Sequence, residues 1–337
     1  MEARAYAVFK QIVQGGALKK GNYMIEIENL TKYYGKKLAV DNISFKVKKG
    51  STVGFLGRNG AGKSTTMNMI TGYISASGGT VRINGYDILK QPREAKRCIG
   101  YLPEHPPIYQ EMTVNEYLKF VCAIKDVKAS AAESHIEEIA GLVKLTDVMD
   151  RRIGNLSKGY QQRVGMGQAL VGNPEVLILD EPTVGLDPKQ IIEIRRMIKA
   201  LGKKHTIILS SHILPEVADV CEQVVIINDG KIVAQDTLAN LQEGLQESAD
   251  MVVRIAGSES AATKILRSLS GVRYVEGLGV REKDTVDMLV ETDKATDVRR
   301  PMFNAMAKAN MPILMIKYVD VTLEDIFLKL TGTEREL

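Results

Sequence analysis

Three cysteines, Cys98, Cys122 and Cys221, are all that the 337 residues hold, and no two of them stand as CxxC. Such a set supports neither a disulfide framework nor a zinc site, and it reads as inert thiols in a reducing compartment. No apolar run approaches the ~20 residues that a membrane-spanning helix needs. Residues 1–23 carry scattered charges without a continuous apolar stretch. No signal peptide is expected there, only a leader ahead of the first strand at Met24. Charge of one sign is scarce too: 45 basic residues face 41 acidic ones, a net charge of +4. That balance does not argue for nucleic acid, which is not expected as a partner, and leaves room for a modest attraction to acidic lipid headgroups. What remains is an ordinary globular chain, 26% charged and 45% hydrophobic, long enough for about two domains.

What is present is concentrated in short stretches. Gly57-Arg58-Asn59-Gly60-Ala61-Gly62-Lys63-Ser64-Thr65 (GRNGAGKST) follows the apolar run Thr52–Leu56 and precedes a helical pattern. The spacing G-x-x-x-x-G-K-[ST] between strand and helix is that of a phosphate-binding loop. Its glycines let backbone N–H groups close on phosphate oxygens, and the helix N-terminus adds a favourable dipole. Lys63 then reaches the β- and γ-phosphates, and the Ser64 hydroxyl ligates Mg²⁺. The loop alone specifies a nucleoside triphosphate and nothing narrower.

Residues 24–56 read as strands and turns, with an antiparallel, half-exposed strand in ISFKVKKG. GGTVRINGYDI reads as a hairpin turning at Asn84-Gly85. Helices follow near 113–150, the first opened by a capping box of Thr113 and Glu116. Apolar strands return in EVLILDEP and HTIILSSH, each after a helix, which indicates a parallel sheet covered on both faces. After about Asp236 the texture changes. TLANLQEGLQES reads as a polar helix or linker, and a β-α-β-β-α-β pattern, the ferredoxin-like arrangement, follows it. Pro301 falls near the first turn of its second helix, where it is tolerated. Thr322 with Asp325 opens a closing helix that stops at Gly332. The tail shows no triad or metal cluster and reads as a structural or docking domain.

The rest of a nucleotide site lies between these segments. Val176–Asp180 is an apolar strand ending in an acid that ligates the Mg²⁺ of such a site. Glu181, one residue on, can take a proton from water attacking the γ-phosphate. His212 lies at the end of the strand TIILS, in SSH, where ligands of parallel sheets collect, and can hydrogen-bond the γ-phosphate. His105, His135 and His205 read as solvent-exposed. In LSKGYQQR, Leu156–Arg163, a Ser and a Gly at a helix start offer a hydroxyl and N–H groups to an anion.

In this order the pieces resemble the ATP-binding subunit of ATP-binding cassette (ABC) transporters. The resemblance covers residues 24–236. It joins a Walker A loop (GRNGAGKST), a signature (LSKGYQQR), a Walker B strand (LILDEP), a D-loop (GLDP, with Asp187) and a switch histidine, His212. The implied fold is α/β, a P-loop ABC ATPase domain with a parallel core sheet, an antiparallel β subdomain and a helical subdomain at about 105–157. A linker at 237–247 and a C-terminal ferredoxin-like α+β domain at 248–337 complete it.

The resemblance also implies roles. Tyr34 stacks on adenine. Two subunits dimerise head to tail, as a homodimer or with a paired ATPase subunit, and Ser157 and Gly159 of each close over the ATP held by the other. Asp187 couples the two sites. Glu104, in YLPEHPP, stands where the family usually has Gln, in the loop that ligates Mg²⁺ and contacts the permease; Lys158 and Tyr160 stand where the signature usually has Gly and Gln. A single cassette with a short tail is similar to the ATPases of ABC-2-type exporters, which sit on the cytoplasmic face of the membrane and drive a separate permease. Ribosome-associated relatives carry two cassettes in one chain, and DNA-repair relatives separate the Walker motifs by coiled coils or zinc modules, which are not seen here.

Overall fold

The computed structural model describes residues 23–245, 250–293, 296–319 and 322–331. The expected leader, 1–23, lies outside them except for Tyr23, which already belongs to the first strand, and the helix stop at Gly332 lies outside them too. Among the described residues no helix is long and apolar enough to cross a membrane. The chain divides into two units, one running to Leu238 and resuming at Phe327, the other Ala239–Ile326.

The first unit opens with β1 (Tyr23–Tyr34) and β2 (Lys37–Lys48), then β3 (Thr52–Leu56), α1 (Lys63–Ile70), β4 (Gly78–Ile83), β5 (Tyr86–Asp87), α2 (Pro92–Arg97) and β6 (Ile99–Leu102). Three longer helices follow, α3 (Val114–Ile124), α4 (Ala129–Val143) and α5 (Lys158–Leu170). The unit continues through β7 (Val176–Asp180), α6 (Pro188–Gly202), β8 (Thr206–Ser211), α7 (Leu214–Val220), β9 (Gln223–Asn228) and β10 (Lys231–Thr237).

Two sheets result. β2-β1-β4-β5 is antiparallel, its β4–β5 hairpin turning at Asn84 (φ 50°) and Gly85 (φ 83°), as Asn-Gly allows. The larger sheet runs β10-β9-β3-β8-β7-β6. It is parallel from β9 to β6, with β10 added antiparallel at the edge. Its central strands β3, β7 and β8 are buried along their whole length, which is why they read as unbroken apolar runs. Phe45 of β2 and Phe55 of β3 meet with ring centroids 5.6 Å apart, and both sheets share one core with Met67 and Ile70 of α1. β3, β7 and β8 therefore present their C-terminal ends, with the residues that follow them, on one side.

The helices α3, α4 and α5 pack on one another, with Leu118 and Ile139 against Gly167. The capping box of α3 is present: Glu116 N donates to Thr113 Oγ1 at 3.2 Å, and Thr113 N to Glu116 Oε2 at 2.8 Å.

Past β10, α8 (Leu238–Leu245) leads to β11 (Met251–Ala256), α9 (Glu259–Arg267), β12 (Val272–Gly279), β13 (Thr285–Thr292), α10 (Arg299–Lys308), β14 (Ile313–Tyr318) and α11 (Leu323–Thr331), which passes back into the first unit at Phe327. The strands form one antiparallel sheet, β12-β13-β11-β14. Met302 and Met306 of α10, with Leu266 of α9, close its core over Val253, Met288 and Val290. Pro301 is the third residue of α10, where no intrahelical donor is lost. Thr322 and Asp325 cap α11 reciprocally, Asp325 N donating to Thr322 Oγ1 at 3.2 Å and Thr322 N to Asp325 Oδ2 at 3.1 Å.

Candidate active site

The loop from Gly57 to Gly62 joins β3 to α1. Gly62 is the N-cap of α1 and has φ 107°, which only glycine adopts freely, and a Cβ there would stand 2.8 Å from Ala39 O. Lys63 follows at once. Its ammonium donates to Gly57 O at 2.9 Å and lies 3.3 Å from Glu181 Oε1, both side chains being 6% exposed. A buried pair of this kind survives only with further bonds, and Glu181 has one: its Oε2 lies 2.9 Å from His212 Nδ1. Against a carboxylate that nitrogen carries the proton. Glu181 itself sits at φ 47°, a left-handed conformation that costs a β-carbon residue about 1 kcal/mol or more. Its N–H is held by Ser210 O at 3.1 Å, so the bend after β7 is tied to β8.

Asp180, the last residue of β7, is buried and accepts a hydrogen bond from Ser210 Oγ. Burial raises its carboxyl above the ordinary range; the Ser210 and Ser64 hydroxyls oppose this, and the charges of Glu181 and Glu104 add to it. Carboxylates gathered beside a serine hydroxyl suit a divalent cation.

A cleft of about 1020 Å³ gathers Tyr34, Asn59, Lys63, Glu104, Glu181 and His212. Gly60, Gly62, Ser64 and Thr65 line it as well. Arg58 is exposed, and Gly57 and Ala61 are buried behind the loop. Tyr34, not Tyr33, faces the cleft, although both are half exposed. Ser64 and Glu104 also border a second cavity of about 800 Å³, walled by Tyr73, Tyr101, Tyr109 and Phe120. Ser157, Gly159 and Asp187 do not line the cleft. Ser157 is the exposed N-cap of α5 and makes no side-chain cap bond. Asp187 caps α6, accepting from Gln190 N at 2.9 Å.

The histidines need one correction. His205 is buried, 5% exposed, with its Nδ1 2.7 Å from Pro174 O. It sits between two lysines and the strand β8, and the charged neighbours gave it the look of a surface residue. Sequence reasoning also passed over Ser210, which holds Asp180 and the Glu181 backbone together. The signal was there, a polar pair ending the apolar strand TIILSS.

A strand, glycine loop and helix beside an acid-ended strand define a P-loop nucleoside triphosphatase. Known proteins narrow this. Residues 40–184 match the family model described as ABC transporter. The linearmycin resistance ATP-binding protein LnrL of Bacillus subtilis is 33% identical over 92% of this chain and 98% of its own length. The bacitracin transport ATP-binding protein BcrA of Bacillus licheniformis is 40% identical over 65% of this chain and 72% of its own. Among solved structures, the dimeric bacterial ABC transporter cassette MJ0796 superposes with a TM-score of 0.58 at 26% identity, covering 64% of this chain and 99% of that one. The chain belongs to the ABC transporter family of ATP-binding proteins. It binds and hydrolyses ATP as the nucleotide-binding subunit of a transporter.

Proposed function

We propose that this subunit drives export through a separate permease of the ABC-2 type, from the inner face of the membrane, as one of a pair of ATPase subunits. The observation that carries the reading is the linked row Lys63–Glu181–His212 beside Asp180, in one cleft, with Ser157 and Gly159 outside it. Relatives named for bacitracin transport and linearmycin resistance, and others named for Nod factor export, support the export class. A solved dimeric cassette supports the pairing.

The chain's own groups divide the work. Loop N–H groups and Lys63 hold the phosphates, with Tyr34 against the base. Phosphate oxygens compete with Glu181 for the Lys63 ammonium, so binding frees a carboxylate that is already bent toward the cleft. Glu181 then accepts the proton of the attacking water. His212 holds the Glu181 carboxylate through Nδ1 and faces the γ-phosphate. Ser64, Asp180 and Glu104 would hold Mg²⁺, which would supply charge neutralisation to the phosphates. Among the described residues no three acids, histidines or cysteines form a ready metal cage. Two carboxylates and a hydroxyl instead leave positions for phosphate and water, as Mg²⁺ prefers. Ser157 and Gly159 serve the ATP of the opposite subunit, and Asp187 couples the two sites. The aromatic cavity beside Glu104 is where the permease meets the cassette.

The cassette spans residues 24–236, and the tail from about 248 is a ferredoxin-like docking or structural domain. The β-α-β-β-α-β order and the strand order β12-β13-β11-β14 support that reading. The test is purification from solubilised membranes. A copurifying chain with apolar spans and no ATPase motif, and ATPase activity that requires Mg²⁺ and rises with that chain, are expected. Full activity with no membrane partner at all would overturn the proposal.

A further inference from the structure

The start of α5 is held by side chains that the ATP site does not use. Tyr160 donates its hydroxyl to Asp147 Oδ2 at 3.1 Å, and Asp147 belongs to a 3₁₀ turn, Thr146–Val148. One turn further along α5, the Arg163 guanidinium lies over the Tyr160 ring, 5.3 Å from its centroid. Arg163 is only 7% exposed. It pairs with Glu193 of α6 and reaches Lys144 O, at the end of α4, at 3.5 Å. Gly159 adds to the joint: the Gln190 side chain of α6 lies over it, and a Cβ there would stand 2.5 Å from Gln190 Cδ. Asp147, Tyr160, Arg163, Gln190 and Glu193 line a small cavity of about 400 Å³ that shares no residue with the nucleotide cleft.

One guanidinium thus ties three elements together. Arginine suits the place because its planar fork donates in several directions while its face stacks on an aromatic ring. Ser157 makes no side-chain cap bond, so its direction is inherited from α5. Asp187, the N-cap of α6, lies six residues past Glu181 on the same connection. The joint therefore links the segment that follows one subunit's base to the helix that carries its Ser157.

We propose that Tyr160 and Arg163 are positioning residues that fix the start of α5 against α6 and so set where Ser157 meets the ATP of a second subunit. This rests on the reading that Ser157 acts across the dimer. A change in the joint then acts on the partner's site, not on the cleft of its own chain.

Mixed dimers test the direction of that effect. Mixing Lys63→Ala with Ser157→Arg leaves one competent site, made from the loop of the Ser157→Arg chain and the Ser157 of the Lys63→Ala chain. Adding Arg163→Gln to the Lys63→Ala chain is expected to lower kcat about 2–30-fold, the range over which residues remote from either ligand shift coupling. The same change in the Ser157→Arg chain is expected to leave the rate where it was. Glu193→Gln breaks the same ion pair from α6 and should repeat the asymmetry if Arg163→Gln folds poorly. Tyr160→Phe keeps the ring and loses the hydroxyl bond, so a smaller loss with the same asymmetry is expected. The Tyr160, Arg163 and Glu193 changes should leave fluorescent-ATP binding by each single chain at the level of its own parent. An active parent mixture that ignores which chain carries the change overturns this proposal alone. An inactive parent mixture overturns the trans reading and the proposal with it.

Discussion

The starts of α1 and α5 make an instructive pair, since each is a helix N-terminus that the sequence assigns to phosphate. At α1 the convergence is complete within one chain: Lys63 is buried against Gly57 O and Glu181, and Asp180 stands close by. At α5 the Ser157 side chain is exposed and the groups behind it, Tyr160 and Arg163, face their own helical neighbours. Two other helices of the same unit have side-chain caps, Thr113 on α3 and Asp187 on α6, whereas α2, α4 and α7 lack one as α5 does. The difference is between a helix start buried among charged partners of its own chain and one whose first side chain is exposed.

The sharpest way to break that comparison is at the base. Glu181→Gln should retain ATP binding and lose about 10²–10⁴-fold in turnover, the usual cost of a missing general base. ATP should then hold the variant as a dimer, read by light scattering. Turnover near wild type would remove Glu181 from the role. Ser157→Arg is the matching change at α5. It should lower homodimer ATPase by at least about 10²-fold, as loss of a preorganised donor does, while single-chain nucleotide binding stays intact. Loss of that binding would mean that the two helix starts serve one cleft after all.

A finer test concerns the edge that the two cavities share. Glu104 lines both of them, with Asp180 and the aromatic walls in the second. Glu104→Gln keeps length and a ligating oxygen, so most ATPase activity should remain. Glu104→Ala removes the oxygen and should raise the Mg²⁺ requirement about tenfold, with hydrolysis less responsive to the permease. An unchanged Mg²⁺ titration would make Glu104 a plain loop acid.

Local signals carried the strands of both units, the Asn84-Gly85 turn, the Thr113–Glu116 box and the phosphate loop, because each is decided within a few residues. The position of Tyr34 at the cleft was legible only through the family resemblance, since Tyr33 is chemically identical in one dimension. His205, Ser210 and the Arg163–Glu193 pair were not legible. Each depends on which strand or helix lies alongside another: β7 beside β8 brings Ser210 to Asp180, thirty positions away, and α5 beside α6 brings Arg163 to Glu193. Pairings at such distances follow from topology, which hydrophobic periodicity does not encode.

The opposite end of α5 gives the smallest expected effect and a check on how rigidly that helix is held. Lys125, just past α3, donates to Val171 O at 2.8 Å and lies 3.4 Å from the carbonyls of Gln168 and Ala169, closing the C-terminus of α5. A cation is favoured there by the helix dipole. Burial nevertheless pushes its ammonium down to about 8, with Cys122 acting weakly the other way. An unfolded chain holds this proton up to about 10.4. Between these two values the unfolded state binds more protons than the folded one, so this group makes stability rise with pH across that window. The full shift corresponds to about 3 kcal/mol, and the carbonyls that favour the charged form reduce the expected rise to about 1–2 kcal/mol. Lys125→Met should remove that rise. Urea unfolding of both proteins at pH 7.5, 8.5 and 9.5 measures it, because other groups that titrate in this range cancel in the difference. Parallel stability profiles for the two proteins would show that Lys125 titrates as an exposed lysine does, and that α5 is anchored by its front joint alone.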